Sequence, residues 1–153
     1  MEIRRAGPGA ESAIVEAARS FEGPFDPRAV RAYLADDRNV FLLAYEGNEV
    51  AGFLRGTELG QLGSQRKQMF LYEIEVGPRF RRHGVGAGRV RSLLQYCRER
   101  HFEEIFVLTD DPANEAARRL YLSTGAITET VADRMYVYRL DPSGGPDPTG
   151  AST

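Results

Sequence analysis

Two glycines at a predicted strand-to-helix turn constrain most strongly how this chain can fold. Residues 79–88 read Arg-Phe-Arg-Arg-His-Gly-Val-Gly-Ala-Gly. An alternating apolar run over 69–76 predicts a strand before the turn, and a helical pattern over 85–100 follows it. Glycine lets the backbone approach a bulky ligand because no Cβ stands in the way, and free N–H groups at a helix start attract anions. The stretch therefore predicts a turn that can cradle a pyrophosphate.

The turn matches neither of the two best-known phosphate-binding patterns. It lacks the Gly-Lys-Ser/Thr run of a P-loop and the three-glycine spacing of the dinucleotide fingerprint. Positive charge surrounds the turn on four arginines, Arg79, Arg81, Arg82 and Arg89. The competing interpretation is a glycine-rich helix start with a solvated basic flank. Spacing alone leaves both interpretations open.

Length and composition indicate one soluble globular domain. The chain has 153 residues, of which 42% are hydrophobic and 27% are charged. Residues 1–141 are predicted to form the domain, and residues 142–153, rich in Pro, Gly, Ser and Thr, a disordered tail. The net charge of −2 argues against a nucleic-acid-binding or membrane-surface polycation, so the arginine cluster is a local feature.

Cysteine usage and hydropathy suggest a reducing compartment. The single cysteine, Cys97, excludes an internal disulfide framework, and its place on the apolar side of a helix predicts buried packing. No apolar signal region and no run long enough to span a bilayer is evident, so we expect a cytoplasmic protein. No cluster has the spacing of metal ligands, so no metal site is expected.

The apolar pattern predicts the element order β-α-α-β-β-β-α-β-α-β-β. The order predicts the α/β class, here in the form of an α+β mixed sheet: a central mixed sheet with helices on both faces. Asp26-Pro27 signals a helix start, and Gly47-Asn48 signals a two-residue hairpin turn. The predicted strands are 2–5, 40–45, 49–59, 69–76, 105–108, 126–130 and 135–140. The predicted helices are 11–21, 27–34, 85–100 and one that starts at 110–112 and ends before Gly125.

Two motifs in this pattern resemble the GNAT superfamily of acetyl-CoA-dependent N-acyltransferases. A strand ending in Val76 leads into Arg-x-x-Gly-x-Gly at 81–86, and Asn-x-x-Ala-x-x-Leu-Tyr follows at 114–121, with Gly125 after it. Either motif alone is weak, but together they raise the pyrophosphate interpretation above its rival. The resemblance covers roughly residues 40–140 and implies the GNAT fold with acetyl-CoA as cofactor.

A closer resemblance is to the small aminoglycoside 3-N-acetyltransferases of that superfamily. It rests on residues 70–76 and 81–84, although Glu73 stands where that group has Asp and Glu75 where it has a small residue. The resemblance implies a small polycationic amine as substrate, with the 3-amino group of an aminoglycoside antibiotic as the best candidate, and hence antibiotic resistance. The alternatives are a protein N-terminus or lysine, a polyamine or another metabolite amine, and a non-catalytic acyl-CoA-binding module. A homodimer through an exposed edge strand is compatible with the pattern.

Two carboxylates in the strand before the turn are candidates for the general base. Glu73 is the first choice, because a carboxylate beside the cofactor loop can orient an ammonium group and take its proton. Glu75 lies two residues on, so it faces the same side in a regular strand unless a bulge falls between them. Transfer is expected to be direct, in a ternary complex, since no nucleophile is evident.

Three further roles come from the resemblance. It implies that the Val76 N–H binds the thioester oxygen, that Asn114 contacts the pantetheine arm and that Tyr121 protonates the departing thiolate. The competing interpretations are a helix N-cap for Asn114 and a packed aromatic ring for Tyr121. His83 is more simply a solvent-facing loop residue than a catalytic one.

The binding residues implied for the cofactor come from the strand end, the turn and the second motif. They are Ile74, Val76, Arg81, Arg82, His83, Gly84, Val85, Gly86, Ala87, Asn114, Ala117 and Tyr121. Carboxylates predicted to attract a polycationic acceptor are Glu73, Glu75, Asp110, Asp111 and Asp26. Asp110 and Asp111 follow a predicted buried strand at its carboxyl end, where α/β sheets bind ligands, although they also fit a simple helix cap.

Overall fold

The computed structural model describes residues 1–21, 23–63, 65–109 and 114–128. Its elements are β1 (Glu2–Arg5), α1 (Glu11–Ala18), α2 (Pro27–Ala35), β2 (Asn39–Glu46), β3 (Glu49–Gly60), β4 (Lys67–Val76), a 3-10 turn (Pro78–Phe80), α3 (Val85–Glu99), β5 (Glu104–Phe106) and α4 (Glu115–Ser123). This order confirms the predicted one as far as α4. The tail 142–153 and most of the two predicted closing strands lie outside the described residues.

A five-stranded mixed sheet forms the centre of the molecule. Its strand order is β1-β2-β3-β4-β5, with antiparallel neighbours up to β4 and a parallel β4–β5 pair. The β2–β3 hairpin closes at Gly47, which has a φ of 60° between the paired residues Glu46 and Glu49. This confirms the predicted two-residue turn, since glycine adopts positive φ without a steric penalty.

Apolar side chains pack on both faces of the sheet, so helices cover both faces as predicted. The core against α3 contains Val40, Leu42, Leu54, Met69, Leu71, Val90, Leu93 and Cys97. The core against α1 and α2 contains Ile14, Val30, Leu34, Phe41, Leu43 and Phe53. Burying these side chains supplies the main driving force for folding.

A β-bulge in β4 changes which side chains face each core. Arg55 pairs with Glu73 while the next residue of β3 pairs with Leu71, so Tyr72 is an extra residue in β4. Before the bulge Leu71 belongs to the α3 core, and after it Ile74 packs there. Glu73 therefore faces the α1/α2 side of the sheet.

The hydrogen-bonded pairing between β4 and β5 ends just before this bulge. Their pairing runs only from Gln68–Glu104 to Phe70–Phe106, whereas β4 continues to Val76. The predicted strand 105–108 was too long, because β5 ends at Phe106, opposite the last residue of β4 before the bulge that it pairs with. Among the described residues, the carboxyl half of β4 therefore has no paired strand on its β5 side, and this unpaired edge is called the gap below.

Two helix ends differ from the prediction. Helix α1 ends at Ala18 and the chain continues to Phe21 in turns rather than as helix. Helix α4 begins at Glu115, later than the 110–112 signal indicates, because Asn114 adopts non-helical dihedrals and caps it. Gly125, with a φ of 99°, lies just after the end of α4 as predicted.

No helix within the described ranges is both long enough and apolar enough to cross a membrane.

Candidate functional site

The turn between β4 and α3 exposes the N-terminus of a helix. Arg82 and Gly84 both adopt left-handed backbone conformations, with φ of 65° and 73°. No side chain caps α3, and its first internal hydrogen bond runs from the Gly88 N–H to the Gly84 carbonyl at 2.9 Å. The N–H groups of residues 85–87 therefore have no acceptor within the helix, and the helix dipole favours an anion there.

Gly84 and Gly86 serve different purposes at this turn. Gly84 is needed for its left-handed conformation, since a Cβ there would meet no atom within 4 Å. A Cβ on Gly86 would lie 3.2 Å from the Leu120 Cδ2 and 3.7 Å from the Val76 Cγ2. Gly86 thus lets α3 approach α4 and β4 closely, a packing role that differs from the predicted role of admitting a ligand.

A cleft of about 830 Å³ lies between the end of β4, the turn and α4. Its lining residues are Ile74, Glu75, Val76, Phe80, Arg81, Arg82, Gly84, Val85, Gly86, Ala87, Asn114, Ala116, Ala117, Arg119, Leu120 and Ser123. Of the residues predicted to bind the cofactor, all line this cleft except His83 and Tyr121. His83 is an exposed loop residue.

The backbone of β4 presents an N–H group to the gap beside the cleft. The Gly77 N–H donates to the Ala51 carbonyl of β3 at 2.9 Å. Successive N–H groups of a strand point to opposite edges, so the Val76 N–H points away from β3. On that edge β5 has already separated from β4, because the last parallel pair is Phe70–Phe106. A ligand oxygen in the cleft can therefore reach the Val76 N–H.

Asn114 caps α4 and also lines the cleft. Its Oδ1 accepts the Ala117 N–H at 3.1 Å, which bears out the N-cap interpretation. The cap uses the acceptor oxygen and leaves the Nδ2 donor for a ligand carbonyl. The N-cap and cofactor roles are thus compatible.

Tyr121 lies one helical turn beyond Ala117 and packs against the α3 core rather than lining the cleft. Burial raises the pKa of its phenol above the usual value. The group therefore stays protonated at neutral pH, as a proton donor must.

Glu73 forms an ion pair on the α1/α2 side of the sheet. Its Oε2 accepts from the Arg55 Nε at 2.5 Å, and the Glu73 side chain is only 17% exposed. The Arg55 guanidinium lies over the rings of Tyr72, at 4.2 Å, and Tyr33, at 5.7 Å. Arg55 thus holds one carboxylate oxygen in place and leaves the other available.

Glu75 faces the same side as Glu73, as predicted for a regular strand, because the bulge precedes both residues. Glu75 is half-buried, lines the cleft and has no ion-pair partner among the described residues. Asp26 instead caps α2, where its Oδ1 accepts the Arg28 N–H at 2.8 Å. Asp110 and Asp111 lie outside the described residues.

Two of the four arginines predicted to surround the turn point elsewhere. Arg89 is fully buried and donates to the Phe53 carbonyl at 2.6 Å. Arg79 forms an ion pair with Glu49 at 3.3 Å. Of the four predicted arginines, Arg81 and Arg82 line the cleft, and Arg119 of α4, which was not predicted, lines it as well.

Cys97 is buried as predicted, and burial raises the pKa of its thiol to about 11, so it remains a neutral packing residue.

Sequence reasoning missed part of the cleft and the partners of Glu73. Leu120 and Ala116 lie one turn or less from Asn114 and Ala117, so helical spacing offered a signal for them. Arg55 could not be found this way, because its pairing with Glu73 depends on the register across the bulge.

A family model described as the acetyltransferase (GNAT) family matches residues 11–126. Curated relatives include N-acetyltransferase 8F1 of Rattus norvegicus, 31% identical over 56% of this chain and 38% of the relative, and N-acetyltransferase 8B of the same organism, 30% identical over 62% and 42%. The chain therefore spans less than half the length of these relatives.

Solved structures share the fold at low sequence identity. An aminoglycoside acetyltransferase from an uncultured soil metagenomic sample, in complex with sisomicin, has a TM-score of 0.81 at 22% identity, covering 90% of this chain and 96% of that one. A ribosomal-protein-alanine N-acetyltransferase from Brucella melitensis has a TM-score of 0.73 at 17% identity, covering 92% and 100%. The family match over residues 11–126 shows that the chain belongs to the acetyltransferase (GNAT) family, and the solved structures agree with its fold.

Proposed function

We propose that this protein is an acetyl-CoA-dependent N-acetyltransferase that acts by direct transfer in a ternary complex. One observation carries the proposal: the uncapped N-terminus of α3, the unpaired edge of β4 at Val76 and the start of α4 line a single cleft. When bound, acetyl-CoA supplies an acetyl group activated as a thioester. The chain's own residues must hold that donor, stabilise charge on its carbonyl oxygen and move protons.

Residues of the turn and α4 suit the cofactor. The free N–H groups of residues 85–87 and the side chains of Arg81 and Arg82 would hold the pyrophosphate. The Asn114 Nδ2 would donate to a carbonyl of the pantetheine arm. The Val76 N–H would donate to the thioester oxygen as negative charge develops there, an effect worth about 3 kcal/mol for one such donor.

Proton transfers fall to the acidic side chains of β4 and to Tyr121. Glu73 would accept the proton of the acceptor ammonium through the oxygen that Arg55 leaves available. Glu75 is the alternative base, since it lines the cleft next to Val76. Tyr121 would protonate the departing thiolate.

The best candidate acceptor is a small polycationic amine, with the 3-amino group of an aminoglycoside first. Aromatic rings continue along the same side of the sheet from Glu73: Tyr72 meets Phe70 at 5.6 Å, and Phe70 stacks on Phe106 at 5.0 Å between ring centroids. Carboxylates beside aromatic faces recognise organic ammonium groups. The fold likeness to a sisomicin-bound acetyltransferase supports this choice.

A protein N-terminus is the second candidate acceptor. The fold likeness to the ribosomal-protein-alanine N-acetyltransferase and the stacked aromatic rings beside β4 favour it.

Thiol release from acetyl-CoA, measured against a panel of acceptors, tests the proposal. The panel contains gentamicin- and kanamycin-type aminoglycosides, spermidine, basic peptides, peptides with a free N-terminal alanine, and free amino acids. We expect saturable release with the aminoglycosides, and mass spectrometry of the product would locate the acetyl group. Release with peptides alone would retain acetyl transfer and overturn the aminoglycoside assignment, while tight acetyl-CoA binding without release would favour a binding module.

The two candidate bases are separated by Glu73→Gln and Glu75→Gln, which keep shape and remove charge. We expect Glu73→Gln to lower kcat by about 10²- to 10⁴-fold with acetyl-CoA affinity unchanged, because only the deprotonation step is lost. Glu75→Gln is the matched control and should lower kcat far less. The reverse order would assign the base to Glu75.

A further inference from the structure

Arg89 is a charged side chain in an apolar place. It belongs to the first two turns of α3 and, among the described residues, is the charged side chain with no solvent exposure. The neighbouring core positions of α3, Val85, Val90 and Leu93, are apolar. Burial lowers the pKa of the guanidinium to about 10, so it still carries its charge at neutral pH. The Glu75 carboxylate only partly opposes this lowering of the pKa, and no carboxylate among the described residues forms an ion pair with Arg89. Burying a charge in this way is unfavourable, so its position calls for an explanation.

The guanidinium donates to main-chain carbonyls of the sheet. Nη1 donates to the Phe53 carbonyl at 2.6 Å and to the Glu75 carbonyl, and Nε lies 3.3 Å from the Val85 carbonyl. Nη2 is buried and has no hydrogen-bond partner among the residues that the structure describes. The charge therefore acts mainly on two carbonyls that belong to paired residues of β3 and β4.

Gly52 makes room for this arrangement. A Cβ at Gly52 would lie 2.9 Å from the Arg89 Cζ and would also collide with Nη1 and with the Glu75 carbonyl oxygen. The absence of a side chain at Gly52 therefore leaves space for the Arg89 guanidinium. In this way β3 and α3, which are far apart in sequence, fit together.

The Glu75 carbonyl and the Val76 N–H belong to the same peptide group. Because that group is planar and conjugated, a hydrogen bond to its oxygen draws electron density from its nitrogen and strengthens its N–H as a donor. A cationic donor has a larger effect than a neutral one. The carbonyl points towards β3 and Arg89, while the Val76 N–H points to the opposite edge, beside the cleft.

We infer that Arg89 is a positioning residue that fixes and polarises the Glu75–Val76 peptide, so that its N–H binds the thioester oxygen more strongly as charge develops there. Arg89 touches neither donor nor acceptor and acts only through the main chain. The inference rests on the proposed acetyl transfer.

Three variants of Arg89 separate charge from hydrogen bonding. Arg89→Lys keeps a cationic donor, Arg89→Gln keeps a neutral donor and Arg89→Met keeps only the apolar stem. Arg91→Met is the control, since Arg91 is exposed on the same helix. The primary readout is the Val76 amide ¹⁵N chemical shift, measured by NMR without and with acetyl-CoA. Steady-state kinetics with the best acceptor supply the second readout.

We expect the Val76 nitrogen signal to move upfield in the order Lys, Gln, Met, with kcat falling in the same order. The loss for Arg89→Met should be about tenfold, smaller than the 10²–10³ for losing an entire oxyanion donor, with KM for acetyl-CoA little changed. Arg91→Met should change neither readout. If Arg89→Met does not fold, the Lys and Gln variants carry the same comparison.

An unchanged Val76 signal across the series, or equal losses of kcat in all three variants, would overturn the inference and leave Arg89 a structural residue. Failure of the proposed function looks different. In that case the Val76 signal of the unsubstituted protein would not respond to acetyl-CoA, whereas its response to the Arg89 substitutions would remain.

Discussion

At the scale of one residue, the burial of Tyr121 bears on its proposed role as a proton donor. It packs against the core between α3 and the sheet, and burial raises the pKa of its phenol above the usual value of about 10. A proton donor with a raised pKa stays protonated across the whole neutral range. The assigned acid would therefore limit activity only in strongly alkaline solution.

Tyr121→Phe should lower kcat by about 10²-fold, since it removes the proton donor and keeps the packed ring. KM for acetyl-CoA should change little, because the substitution keeps the ring and its packing against the α3 core. In the unsubstituted protein the alkaline decline of kcat should have its midpoint above pH 10, because burial raises the pKa of the phenol, and the variant should lack that decline. A pH–rate profile of both proteins measures this, and an unchanged kcat in Tyr121→Phe would assign the residue to packing alone.

Single residues were predictable where chemistry depends on local sequence. The N-cap at Asp26, the positive φ of Gly84 and the packing of Cys97 follow from residue type and neighbours. The partners of Arg55 and Arg89 were not predictable, because both pair with main-chain or side-chain groups of other strands. The four arginines near the glycine-rich turn could not be told apart from the sequence. Only the fold shows that Arg89 is buried.

At the scale of elements, the bulge at Tyr72 decides the geometry of the site. It places Glu73 and Glu75 on the α1/α2 side and ends the pairing between β4 and β5 at Phe70–Phe106. Alternation within β4 correctly predicted that the two carboxylates share a face. Which side of the sheet they face depends on the register between β4 and β3, and the length of β5 depends on where the bulge in β4 falls. The alternation within one strand does not contain this information.

Helix boundaries show the same division between local and tertiary causes. Asn114 overrides the earlier start signal at 110–112 because its side chain accepts the Ala117 N–H. At the other end of α4 the Gly125 N–H donates to the Leu122 carbonyl at 3.2 Å and the Ala126 N–H to the Tyr121 carbonyl at 3.0 Å. These are the two bonds of a Schellman motif, which the glycine predicted.

At the scale of the whole molecule, the apolar pattern was sufficient for the mixed sheet with a core on each face. The cleft was predictable only in outline, because it forms where three elements meet. A second cavity, of about 560 Å³, lies on the other side of residues 77–80 and is lined in part by Ala13 and Phe21. The two cavities share Phe80 and are otherwise built from different residues.

We expect acetyl-CoA to bind in the cleft between β4, α3 and α4. Calorimetric titration with coenzyme A tests it most directly, using the unsubstituted protein, Ala117→Arg, which fills the cleft, and Ala13→Arg, which fills the second cavity. We expect one binding site per chain, lost in Ala117→Arg and retained in Ala13→Arg. Binding that survives Ala117→Arg and disappears in Ala13→Arg would contradict it.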